Sequence, residues 1–183
     1  TVSKHAENLL AAPASVYVIS REDIRRSGIT SIPEALRLAP GVQVARSGSH
    51  SWAISIRGFN NSVSNKLLVL IDGRSVYSPL YAGVFWDVQD TLLEDVDRIE
   101  VISGPGGTLW GANAVNGVIN IITRSAKETK GGYLTGGGGG EERGFAAFRY
   151  SAKLDPNTAL RGYLKYKDQG SAENSSGDSA QDD

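Results

Sequence analysis

Runs and alternations of apolar residues divide the chain into two regions with different rules. In "ASVYVIS", four apolar residues from Val16 to Ile19 stand in a row, which predicts a strand. Ser20 is placed to cap the helix "REDIRRSG", with Asp23 three residues on and Gly28 as a left-handed stop. A second helix is predicted from Ser31, with Glu34 completing a capping box. Its residues Ile32, Ala35, Leu36 and Ala39 fall on one face, and Pro40-Gly41 ends it. "GVQVA" and "WAISIRG" read as short strands around the polar loop "RSGSHS". "KLLVLIDG" reads as a buried strand closed by the turn pair Asp72-Gly73. An aromatic-rich loop follows, then a helical turn in "TLLEDVDR", the strand "RIEVIS", a glycine loop and the strand "GVINIIT".

After Lys127 the pattern changes. "KETKGG" is polar and reads as flexible. From Gly144 the period is two: Ala146, Phe148, Tyr150, Ala152 and Leu154 face one way, and Phe145, Ala147, Arg149, Ser151 and Lys153 the other. "DPNT" predicts a turn. Leu160, Gly162, Leu164 and Tyr166 then alternate with Arg161, Tyr163, Lys165 and Lys167. Periodicity alone fits two structures equally: adjacent transmembrane β-strands, or an amphipathic hairpin of a soluble sheet. The tail "SAENSSGDSAQDD" reads as a solvated loop or disorder.

Composition narrows the chemistry. The net charge of −1 gives no reason to expect nucleic acid as a partner. The absence of cysteine excludes disulfides, thiolate metal sites and a cysteine nucleophile. The two histidines, His5 and His50, have no ligand-spaced neighbours, so neither a metal site nor a cofactor is expected. Thr1 in place of Met suggests a processed or trimmed start. No apolar run approaches the roughly 20 residues of a membrane helix. Glu94, Asp95 and Asp97 read as a solvated turn.

The stretch "SGPGGTLWGANAVNGVINIITR" poses a choice between a phosphate cradle and close packing. A phosphate loop needs a lysine, and none lies between Gly104 and Gly117. The loop also runs into strand residues, so no helix N-terminus is expected there. Packing is the better reading, with Leu109 and Trp110 as anchors. No Ser-His-Asp arrangement can be built, and no enzyme activity is expected.

"RIEVISGPGGTLWGANAVNGVINIITR" resembles the C-terminal half of the plug domain of TonB-dependent outer-membrane transporters. "SVYVISREDIRRSG", "SIPEALRLAPGVQV", "ISIRGFN" and "LLVLIDGRSVY" resemble the earlier plug blocks, in the family's order. The resemblance implies an α+β fold: a plug with a small mixed sheet and two short helices, followed by incomplete antiparallel barrel strands. It implies an N-terminal linker over 1–12 after a missing TonB box, a plug over 13–126, and a linker with the first barrel strands over 127–183. It favours barrel strands for the hairpins and makes the chain a fragment of a longer protein. The implied function is import of a metal chelate, such as a ferric siderophore or cobalamin, across the outer membrane, with gating by TonB; the alternative is a stand-alone periplasmic binding module built from a plug.

Site residues follow as expectations. The resemblance places cargo at outer plug loops, where Arg46, His50, Trp52, Asn60, Asn61, Tyr77, Tyr81 and Phe85 lie. Trp86 is expected in the core, and Tyr77 and Tyr81 exposed. Arg57 matches one position of a plug–barrel lock, while Ser103 stands where the family usually has a basic residue. Arg98 and Glu100 are expected to make plug–barrel or in-sheet pairs.

Overall fold

The computed structural model describes residues 15–58, 60–61, 65–80, 82–140 and 142–171. The chain divides into two units: one holds Thr1–Ser47 and Ser51–Thr123, the other Gly48–His50 and Arg124–Asp183.

The first unit is built on a five-stranded mixed sheet. Its strands are β1 (Ser15–Ser20), β4 (Leu67–Ile71), β5 (Arg74–Ser75), β6 (Val96–Ser103) and β7 (Gly117–Thr123), in the order β1-β6-β7-β4-β5. Only β4 and β7 run parallel. A separate hairpin joins β2 (Val42–Arg46) to β3 (Trp52–Ile56). The helices are short: α1 (Arg21–Ser27), α2 (Ile32–Ala35) and α3 (Gly107–Trp110). One sheet face, carrying Ile19, Ile99, Val101, Ile119, Ile121, Leu67 and Val69, packs with Ile24, Ile32 and Leu36 of the helical segments. Trp86 is buried in that core, as its sequence context predicts.

Local chemistry explains the element ends. The Ser20 side chain accepts from Asp23 N, and Asp23 accepts from Ser20 N at 2.9 Å, a complete capping box. Gly28 closes α1 in the left-handed conformation, φ 68°. The hydroxyl and backbone N–H of Ser20, with a smaller contribution from Arg26, hold the Asp23 carboxyl below its usual range. A depressed native pKa contributes stability above the unfolded pKa, and this is lost as pH falls through the native value. Ser20→Ala should therefore raise the Asp23 pKa toward the ordinary aspartate value, read from its carboxyl resonance across an acid titration.

Four expectations are corrected. Ser31 makes no side-chain cap hydrogen bond, and the Glu34 carboxylate pairs with Arg37 Nε at 2.7 Å instead of reaching back. The glycine loop does contain a helical turn, α3, although four residues are too few for an anion site. Leu109 is exposed, so Trp110 alone of the pair packs on the sheet, beside Leu68, Ile102, Ala114 and Val118. The acidic run is not a solvated turn: Glu94 pairs with Arg21 of α1 and Asp95 is buried.

The second unit is a three-stranded antiparallel sheet, β8 (Gly131–Gly137), β9 (Glu142–Lys153) and β10 (Ala159–Gln169). Strand β8 begins inside the stretch "KETKGG" that reads as flexible and continues through Tyr133, Leu134 and Thr135. The Phe145 ring lies over Gly137, its cross-strand partner, and supplies the apolar cover that glycine lacks. Before β8, "KETKGG" is tied down rather than loose. Ser125 N donates to Glu128 Oε2 at 3.0 Å, Thr129 and Ser151 share a hydroxyl contact at 3.1 Å, and Arg149 donates to Thr129 O.

This sheet is inverted relative to a soluble one. Leu134, Phe148 and Leu164 form one cross-strand row, with Leu164 75 % exposed. Tyr150, Leu160 and Tyr166 are exposed on the same face. On the other face Arg149, only 6 % exposed, lies over the Tyr133 ring, near buried Ser151. Water would drive the opposite arrangement, because each exposed apolar side chain forgoes about 1.5–3 kcal/mol of burial. The observed arrangement is the pattern that strands of a transmembrane barrel carry, apolar toward lipid and polar toward the lumen. The tail from 172 onward lies outside the described residues.

Candidate functional site

The strand register of the first unit brings several loops to one end of its sheet. Leu67 of β4 pairs with Gly117 of β7, and Gly117 pairs with Ser103 of β6. The segment 57–66 enters the sheet there, and Asn116 N donates to Lys66 O at 2.9 Å. The glycine loop 104–116 spans the same end. After β5, Val76 N donates to Val69 O, which carries the chain back along β4 toward that end. Tyr77 and the loop beyond it therefore run back toward the start of β4. Asn60 and Asn61 are exposed, Tyr77 is half-buried rather than exposed, and Phe85 is exposed. Tyr81 lies outside the described residues.

Close packing, not phosphate, explains the glycine that ends this loop. A Cβ on Gly117 would stand 2.5 Å from Ile102 O and 2.9 Å from Ile56 Cδ1. Only a hydrogen fits between β7 and these two neighbours. The choice posed by the sequence is settled for packing at that position.

The hairpin β2–β3 carries the other candidates. Arg46 and Trp52 are directly opposite in register, and the Arg46 guanidinium lies 5.8 Å from the Trp52 ring centre. Ser47 N donates to Ser51 O at 2.9 Å and closes the tip. Four strand steps put Trp52 roughly 14 Å along β3 from Ile56. A charged fork beside an indole face suits a flat or anionic ligand, since the ring supplies apolar area and the guanidinium paired donors. Arg37, which sequence inspection did not single out, also lies over this ring, at 6.0 Å. It sits in a 3₁₀ turn between two leucines, and no periodicity marks it. His50 is exposed and groups with the second unit.

The remaining candidates sit elsewhere. Arg57 follows β3, exposed, with φ 60° in the left-handed region. Arg98 and Glu100 form an in-sheet pair, Nε to Oε1 at 2.9 Å, and Asp97 Oδ2 accepts from Arg98 at 2.7 Å. Glu100 is buried beside its cross-strand partner Asn120, whose Nδ2 donates to it at 3.4 Å. Among the described residues no group of His, Cys, Asp or Glu side chains is arranged to hold a metal ion.

Residues 8–118 match the model of the TonB-dependent receptor plug domain. The chain belongs to this family. The chain is 36% identical over 150 residues to the vitamin B12 transporter BtuB of Vibrio vulnificus. It is 41% identical over 134 residues to an iron-regulated outer membrane virulence protein of Vibrio cholerae. These matches cover 81% and 70% of this chain but 24% and 20% of those proteins, so the chain spans about a quarter of their length or less. Among solved structures, the ferric enterobactin receptor PfeA of Pseudomonas aeruginosa superposes with TM-score 0.66 at 26% identity. That match covers 86% of this chain and 25% of the receptor. The ferric yersiniabactin uptake receptor FyuA of Yersinia pestis gives 0.64 at 25% identity, over 87% and 24%. The family is one of outer-membrane receptors and transporters rather than enzymes, and the plug is assigned to that membrane.

Proposed function

We propose that this chain is the gating plug, with the first barrel strands, of a TonB-dependent transporter that imports a metal chelate. The cargo is a ferric siderophore, or a cobalamin as for the Vibrio transporter. The single observation that carries this reading is the family match over 8–118, and the sheet after it, which exposes its apolar face, agrees with it. The protein breaks no bond of its cargo and is not an enzyme. It holds cargo at the outer loops until the inner-membrane TonB complex pulls the plug open. The division into a linker over 1–12, a plug over 13–126 and barrel strands over 127–183 belongs to this reading.

Within it, Arg46 and Trp52 offer a charged and aromatic surface, and Asn60, Asn61, Tyr77, Tyr81, Phe85 and His50 are the other candidate cargo contacts. Arg57 serves as plug half of a lock to barrel carboxylates, and its exposure in the isolated plug leaves it available to them. Arg98 and Glu100 contribute to the plug's contact with the barrel while bracing each other.

Uptake tests the reading. The full-length protein should restore uptake of a ferric siderophore or cyanocobalamin to a receptor-deficient strain, and only when TonB is present. Arg46→Ala and Tyr77→Ala should each weaken cargo binding about tenfold, the loss of one good charged or aromatic contact. Uptake that persists without TonB would overturn the gating role. Unchanged affinity in both variants would overturn the site while leaving the transporter in place.

A further inference from the structure

We propose that the Asn116-Gly117 peptide is a site of spontaneous deamidation, guarded while β7 stays in its sheet and exposed when the plug opens. The exposure step rests on the transport reading above; the chemistry does not. Asparagine is a thermolabile side chain, and this is the only Asn-Gly pair in the chain. Glycine puts no Cβ beside its own nitrogen and leaves the backbone free to turn, so Gly117 N can reach the Asn116 amide carbon. The nitrogen bonds to Asn116 Cγ and gives up its proton to the amide nitrogen, which leaves as ammonia. Water then opens the cyclic imide at either carbonyl. One opening gives aspartate. The other gives isoaspartate, whose main chain runs through the former side chain and is one atom longer.

Packing demands the residue that makes this pair labile, because Ile102 O and Ile56 Cδ1 leave no room for a Cβ at Gly117. The fold protects the pair by other means. Asn116 N donates to Lys66 O at 2.9 Å, and Asn116 O accepts from Gly104 N at 3.0 Å. Gly117 is paired on both sides, with Leu67 of β4 and Ser103 of β6. Closing the imide ring requires rotation about the Asn116 Cα–C bond, which swings Asn116 O off Gly104 N and Gly117 out of both ladders. Burial of the amide is not the barrier: Asn116 is half-buried, and Val115 before it is 57% exposed. The backbone pairing is the barrier. Strand β7 is the middle strand of the five, so deamidation marks those openings that reach the centre of the sheet. Isoaspartate would lengthen the chain between the glycine loop and β7, untying the loop where it enters the sheet.

The test uses the full-length protein and reads the converted fraction of Asn116 by peptide mass mapping. An open state populated at roughly 0.1–10% predicts that folding slows conversion about ten- to thousandfold relative to the same protein in urea. Asn116→Gln, which must close a larger ring, should stay unconverted in urea and take up cargo as the parent does. In cells whose protein synthesis has been stopped, uptake of cyanocobalamin and of a ferric tris(catecholate) is followed alongside conversion, with and without TonB. Conversion should run faster where TonB drives uptake. Equal rates in the folded and urea-unfolded protein overturn the guarding. Equal conversion of the parent and Asn116→Gln in urea overturns the site. TonB-dependent uptake with the same conversion in both strains overturns the exposure while the transporter stands. Uptake of neither probe overturns the transport reading for these cargoes and the exposure step with it, while the comparison in urea still decides the site.

Discussion

Gly117→Ala should be among the most damaging single-methyl changes in the plug. The added carbon would meet the Ile102 carbonyl oxygen at 2.5 Å and Ile56 Cδ1 at 2.9 Å. The isoleucine tip can rotate away, but the carbonyl belongs to the neighbouring strand β6 and cannot move without breaking the ladder. Overpacking against backbone costs about 3 kcal/mol, the upper part of the usual range. With a urea slope near 2 kcal/mol/M, the midpoint should fall by roughly 1.5 M at unchanged slope. Gly107→Ala is the control from the same loop. Nothing lies within 4 Å of its added methyl, and it starts the helical turn α3. It should be neutral or slightly stabilising, because alanine favours helix over glycine. Equal effects from the two variants would show that the contact at Gly117 does not matter.

The second large effect concerns the outward apolar face of β8–β10. Phe148 sits at the centre of the row Leu134–Phe148–Leu164. In the full-length protein in a bilayer or micelle, Phe148→Arg should cost about 2–4 kcal/mol, the penalty for arginine near the midplane of a barrel's lipid face. Unfolding from lipid vesicles and the yield of membrane-inserted protein would both report it. A soluble hairpin predicts the opposite. There, an exposed aromatic replaced by arginine would change stability by no more than about 0.5 kcal/mol. A result in that range would remove the barrel assignment of these strands.

Much of the fold is legible in the sequence wherever one residue has one plausible partner. Ser20 and Asp23 have only each other at the start of α1, and the box forms. Asp72-Gly73 reads as a tight turn, and both residues take positive φ, 50° and 79°. The apolar face Ile32, Ala35, Leu36 and Ala39 is buried throughout. The reading fails where two partners compete. Glu34 could cap Ser31 or pair with Arg37, and the charged partner wins. It fails also where composition hides an element. The turn α3 lies in a glycine-rich loop and the strand β8 holds four glycines, and tertiary contacts rather than propensity hold them. For the candidate site, Arg46 and Trp52 are visible as residue types in a polar loop. That they face each other follows only from the hairpin register. Arg37 carries no pattern at all, because the ring it lies over is fifteen positions away.

The strand order β1-β6-β7-β4-β5 has a consequence for how the plug comes into being. Among the described residues, strand β1 has β6 as its only neighbour, and the pair β4–β5 is joined to the sheet only through β7. Every long-range ladder of the sheet thus waits for residues 96–123. Ribosomal synthesis and export both deliver the chain from the N-terminus, so the first 95 residues emerge with half a sheet and no template to complete it. Closing loops of this length is slow compared with helix formation. The nascent segment therefore needs protection during export, and a chain cut before Val96 should collapse without a native sheet, however much of its sequence is correct.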